Sequence, residues 1–132
     1  MSRRGVSVQL WRYALMGCVA TVAHYGVLVA LVEAVYWPAW LGSGLGAVVG
    51  AQVAFLGNRG FTFGHQGPAQ QAWWRFQLTA LAGALLGMAI VALSVAASWH
   101  YLAGQMLATL VVMLATFAVN RHWSFAATAP PV

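Results

Sequence analysis

The sequence predicts an all-α membrane protein of four transmembrane helices, built as a tandem repeat of two helical hairpins with both termini cytoplasmic. Three observations carry this reading. Hydrophobic residues make up 62% of the 132-residue chain and charged residues 5%, against roughly 25% charged in soluble domains. A soluble fold of this size has too little interior to hide so much apolar surface. The apolar residues fall into four runs, each near the length that crosses a ~30 Å hydrocarbon core. Finally, the cations are one-sided. With four spans, Arg3, Arg4, Arg12, Arg59, Arg75 and Arg121 all fall on one face of the membrane, and the other face has no Arg. The positive-inside rule makes the Arg face cytoplasmic.

Residues 1–12 read as a short basic segment at the interface, with Val6, Val8, Leu10 and Trp11 as its apolar contacts. Ser2-Arg3-Arg4 and Leu15-Met16-Gly17-Cys18 resemble export and lipoprotein signals. The apolar stretch before Cys18 is too short for a signal h-region and continues well past it, so a retained helix is expected. The first span covers about 13–35. Pro38 stops it in the turn 36–40, and the second span covers about 41–56. A plain loop, 64–68, leads toward the third span at about 76–97. Ser98, Trp99, His100 and Tyr101 form the second outer turn, and the fourth span covers about 102–119. Trp11, Trp73, Trp74 and Trp123 flank the inner ends, and Trp37, Trp40 and Trp99 the outer ends. All seven tryptophans therefore lie in the aromatic belts expected at a bilayer surface.

The repeat is marked by a box that occurs twice. Asn58-Arg59-Gly60-Phe61-Thr62-Phe63 closes the second span, and Asn120-Arg121-His122-Trp123-Ser124-Phe125 closes the fourth, 62 residues later. The halves also open alike, with Arg12-Tyr13 and Arg75-Phe76. One unit therefore covers about 12–63 and the other about 75–125, within a single domain of residues 1–132. Each half carries a ridge of mostly small residues at four-residue spacing: Gly42, Gly46, Gly50 and Ala54, then Gly104, Ala108, Val112 and Thr116. Small residues at this spacing let helix backbones approach closely, so the glycines are expected to pack helices together, and the ridges are expected to join protomers as a homodimer as well.

Little here can carry covalent chemistry. Glu33 is the one acidic side chain, the four His are scattered and Cys18 is alone. There is no carboxylate pair, no metal-ligand cluster, no disulfide and no phosphate loop, so no catalytic residue, metal or cofactor is expected. The formal charge of +5 comes from single Arg residues between apolar runs, which suits anionic lipid headgroups or a phosphate, not nucleic acid. Arg12, Arg59, Arg75 and Arg121 are the candidate phosphate-binding residues, because the guanidinium fork donates two parallel hydrogen bonds. Asn58 and Asn120 stand beside two of them. Membrane-embedded polar residues mark function or interior packing. These are His24 with Thr21 one turn away, Glu33 at the outer end of the first span, and Gln52 in the second. Gln52 is expected to bond across helices. Gln105, near an outer end, is expected to be hydrated.

The doubled box, the four spans, and Ala20-Thr21-Val22-Ala23-His24-Tyr25 in the first span together resemble the GtrA-like family over about residues 10–126. The chain departs from it in carrying Gly57 and Gly60 around the first Asn-Arg pair. The resemblance implies a protein that translocates a polyprenyl-phosphate-linked sugar across the bacterial inner membrane for cell-surface polysaccharide glycosylation. As the alternative it implies a non-transporting partner that anchors or organises a membrane glycosyltransferase. A small proton-coupled exporter also uses four spans, but needs an acid deeper in the first span than Glu33.

Overall fold

The computed structural model describes residues 3–62 and 69–119. The loop 64–68, Phe63 and the whole second box from Asn120 lie outside the described residues, as do Arg121, Trp123 and the C-terminal end. Four α-helices make up the fold: α1 (Arg3–Glu33), α2 (Ala39–Gly57), α3 (Ala69–Ala96) and α4 (Tyr101–Val119). Three of them contain segments long and apolar enough to cross a membrane: Leu10–Glu33, Ala39–Phe61 and Trp73–Ala96. The described apolar part of α4 is shorter, Tyr101–Thr116. The basic segment is not separate from the first span. No proline interrupts the chain before Pro38, and α1 runs for 31 residues, about 46 Å at the usual rise.

The turns at 36–38 and 98–100 are built alike, at an offset of 62 residues. Tyr36 (φ 60) and Ser98 (φ 65) both adopt the left-handed conformation that ends a helix. The next residue in each turn, Trp37 or Trp99, donates its N–H back to a carbonyl of the helix just ended, Leu31 O at 3.0 Å and Ser94 O at 2.9 Å. Pro38 O then accepts from Gly42 N–H at 3.1 Å, and His100 O accepts from Gly104 N–H at 3.2 Å, opening the next helix. His100 adds a cap that Pro38 cannot supply: its Nδ1 accepts from Leu102 N–H at 3.2 Å.

Packing explains the glycine ridges. Gly42, Gly46 and Gly50 are buried against α1. A Cβ on Gly46 would lie 2.5 Å from His24 Cδ2 and 2.6 Å from His24 O, and one on Gly42 would lie 3.1 Å from Leu28 Cδ1. In α4, Gly104 meets Ser94 of α3, and Gly83 and Gly87 of α3 face Val112. The buried ridge glycines thus serve helix packing inside the protomer, as their spacing predicts. The physical reason is that close backbone approach helps any pair of helices, and hairpin neighbours, tethered by a short turn, meet first. The core they leave is small: Leu28, Val91 and Ala108 are fully buried, while residues such as Val22 and Leu93 face outward, as a lipid environment allows.

Close backbone packing joins α1 to α2, α2 to α3 and α3 to α4. By contrast, α1 meets α4 through long side chains. Tyr25 reaches Gln105 O and Thr109 Oγ1, and Tyr101 reaches Glu33.

Candidate functional site

The first box forms the end of the α1–α2 hairpin remote from the 36–40 turn. After Gly57 the chain does not end its helix but widens into a π-helical turn over Asn58–Thr62. Gly57 and Gly60 are at home there, since glycine gives up a regular α-helix at low cost. Met16 of α1 lies across Gly57, where a Cβ would collide with its Sδ, whereas around Gly60 there is open space. Single π turns recur at functional sites because they re-aim side chains.

Arg12 of α1 braces this turn. Its Nη1 donates to Phe61 O at 3.2 Å, and its Cζ stands 5.0 Å from the centre of the Phe61 ring. Carbonyls at a helix C-terminus lack intrahelical partners and carry partial negative charge, so a guanidinium there both caps and neutralises. A guanidinium has five N–H donors, and the bond to Phe61 uses one. Arg12 is therefore a bracket as well as a candidate ligand, a contact that its spacing from the box did not announce. Arg59, two residues before Phe61, is exposed. Arg75 is exposed near the start of the membrane-spanning part of α3, where the Trp73 and Trp74 rings meet edge to face, 5.2 Å apart. No contact joins Arg75 to the box among the described residues. The remaining candidates, Asn120 and Arg121, lie outside the described residues, and for Asn58 only the backbone is described.

The only acidic side chain in the chain is far from this edge. Glu33 ends α1 at the opposite end, and its Oε1 accepts from the Tyr101 hydroxyl at 2.8 Å. Arg12, Arg59 and Arg75 consequently share an edge that no acidic side chain can neutralise. Such an edge favours a bound anion, and a phosphate can take the fork of one guanidinium or be shared by two.

The embedded polar residues divide by depth. Gln52 of α2 pairs with Gln77 of α3 through two reciprocal amide bonds of 2.9 and 3.1 Å, beside the Phe55–Phe76 ring contact. Gln52 therefore does bond across helices. Thr21 turns back to its own helix, Thr21 Oγ1 donating to Gly17 O at 2.8 Å. Nearer the outer end, His24 Nε2 lies 3.1 Å from Ser43 O, and its neighbour Tyr25 reaches Gln105 O at 3.3 Å and Thr109 Oγ1 at 2.8 Å. Gln105 is only 1% exposed, which overturns its expected hydration. Its place in the sequence put it close to the outer surface, but the rotation of α4 points it inward. Ser43 and Gln105 stand at the same offset of 62 residues as the boxes, and both are buried. That offset was the one sequence signal that could have singled out the pair. Tyr25, Gln77, Thr109 and Tyr101 had none.

A family model described as the GtrA/DPMS transmembrane domain matches residues 12–125. No curated protein and no solved structure matches the chain. The match begins at the bracketing Arg12 within α1, takes in the other three helices whole, and ends at the last residue of the second box, so the chain belongs to the GtrA/DPMS transmembrane-domain family.

Proposed function

We propose that the protein is a translocase for a polyprenyl-phosphate-linked sugar, resident in the bacterial inner membrane with both termini cytoplasmic, and without catalytic activity or a cofactor of its own. The observation that carries this reading is the unneutralised arginine edge at the π turn. The lipid tail of such a substrate stays in the bilayer, so only its phosphate and sugar need polar partners. An edge of exposed guanidinium groups at the membrane surface supplies the first of them. Arg121 and Asn120 of the second box are taken to provide the same chemistry in the other half of the repeat, with Asn58 and Asn120 orienting the forks. The supply of such a sugar serves cell-surface polysaccharide glycosylation.

A second reading has its own support. Leu28, Val91 and Ala108 close the centre of the bundle, so one protomer offers no wide passage among the described residues. The recess between α3 and α4, about 200 Å³ and lined by Leu78, Gly83, Leu86, Val112 and Thr116 among others, is apolar and open to the side. This arrangement suits a membrane partner that organises a polyprenyl-phosphate glycosyltransferase. Reconstitution in liposomes with a radiolabelled polyprenyl-phosphate sugar separates the two. A translocase exposes the label to an external, membrane-impermeant reagent at a rate that scales with protein. An organiser leaves that rate at the protein-free level while stimulating the glycosyltransferase.

The proposed orientation has its own test. A reporter fused after Val132 is expected to read cytoplasmic, and a cysteine introduced in the 36–40 turn is expected to react with an impermeant maleimide added to intact cells. Labelling only after the cells are opened would reverse the orientation and remove the arginine edge from the cytoplasmic surface.

A further inference from the structure

We propose that Tyr25, Gln105 and Thr109 form a hydroxyl-recognising subsite for the sugar of a lipid-linked substrate, reached when α1 parts from α4. This rests on the proposed function and assigns the sugar its own station, apart from the phosphate edge.

The first observation is an orphaned atom. Gln105 Oε1 is buried and accepts no hydrogen bond, although the other end of the same amide is engaged, Gln105 Nε2 donating to Thr109 Oγ1 at 3.3 Å. Buried acceptors without a donor are uncommon and costly. The groups bonded to the rest of this residue are uncharged hydroxyls. Thr109 Oγ1 donates to Gln105 O at 2.9 Å, and the Tyr25 hydroxyl lies 2.8 Å from Thr109 Oγ1. A free amide oxygen on a residue already bonded to two hydroxyls offers acceptors and exchangeable donors, which match a sugar hydroxyl that both donates and accepts. The cluster contains no guanidinium or ammonium to hold a phosphate.

The second observation is the seam. In a repeat of two hairpins, the contact of α4 with α1 is the counterpart of the contact of α2 with α3. The backbones of α2 and α3 pack closely, whereas α1 and α4 are bridged by side chains. No turn links α1 to α4, so they can separate without unfolding either hairpin. Opening breaks the Tyr25 and Tyr101 hydrogen bonds and uncovers the cluster that Tyr25 closes. Gln105 lies four residues into α4, about 6 Å from its outer end. A headgroup leaving the arginine edge therefore meets the cluster late, near its exit.

The test compares binding of two lipids to the full chain by native mass spectrometry. One is a short polyprenyl phosphate; the other is the same lipid carrying a single hexose, tried in turn as glucose, galactose and mannose. The native protein is expected to prefer at least one hexosyl lipid over the bare phosphate. Gln105→Leu and Tyr25→Phe are each expected to reduce that preference about ten-fold and to leave bare-phosphate binding unchanged, with the melting temperature held in Gln105→Leu and lowered by a few degrees at most in Tyr25→Phe. A preference that survives both substitutions overturns the subsite. So does a parallel loss of both lipids with an early melt, which marks the cluster as helix glue. If the native protein binds bare phosphate and all three hexosyl lipids equally, the subsite alone fails. If it binds none of them, the proposed function fails with it.

Discussion

Gly46→Ala is expected to cause the largest loss of stability of any single-methyl addition to this protein. The new Cβ would sit 2.6 Å from His24 O, a backbone atom that cannot move without shifting α1, and 2.5 Å from His24 Cδ2. Overpacking of this kind costs about 1–3 kcal/mol. The His24–Ser43 bond of 3.1 Å crosses the same contact, so it is expected to lengthen or break as the helices separate. The series around it has a definite order. At Gly104 the added methyl meets Ser94 Cβ at 2.7 Å, close to the α3 backbone, and a comparable loss is expected. At Gly44 it meets the flexible end of Met88, which can swing aside, so the loss should be small. At Gly17 and Gly26 nothing lies within 4 Å, and alanine there should be neutral or slightly favourable through its higher helix propensity. Thermal unfolding in detergent, followed by tryptophan fluorescence, measures the series. If Gly46→Ala melts with Gly26→Ala, the α1–α2 contact described above is wrong.

Replacing Arg59 by Lys is expected to weaken binding of polyprenyl phosphate by roughly ten- to a hundred-fold, the equivalent of one charge-assisted hydrogen bond of ~1.5–3 kcal/mol. Lysine keeps the charge, and with it the topology and the attraction to bulk anionic lipid, but it lacks the planar fork. Arg121→Lys is expected to act in the same direction and more strongly, because the second box has no counterpart of Gly60. Arg12→Lys differs in kind. It removes the bracket on Phe61 O and the guanidinium over the Phe61 ring, so it should loosen the π turn and weaken binding together. Arg3→Lys should change nothing. A scintillation binding assay at fixed ionic strength, with expression and orientation checked alongside, reads all four. Equal binding by every variant would reduce the arginines to topology anchors. Gly60→Ala, with open space around it, is a useful companion: a loss there would indicate that the headgroup approaches the backbone of the turn.

The sequence by itself determined the membrane class, the four helices, the turns within both hairpins and the family. Each is written locally along the chain. Apolar run length is set against bilayer thickness, Pro38 and the aromatic belts mark the ends, and the Asn-Arg box recurs at a fixed offset. It also placed Gln52 correctly as a residue that bonds across helices, though not its partner Gln77. Which way each helix turns its sides was decided only by the tertiary structure. In water an apolar stripe announces the buried face, but helices that are apolar all round carry no such stripe, because lipid is as apolar as the interior. Rotation is then fixed by shape, here by Gly46 against His24 and Gly104 against Ser94. That rotation buries Gln105, gives Tyr25 its partners on α4, sets Arg12 on Phe61, and leaves α1 and α4 bridged by the Tyr25 and Tyr101 side chains among the described residues.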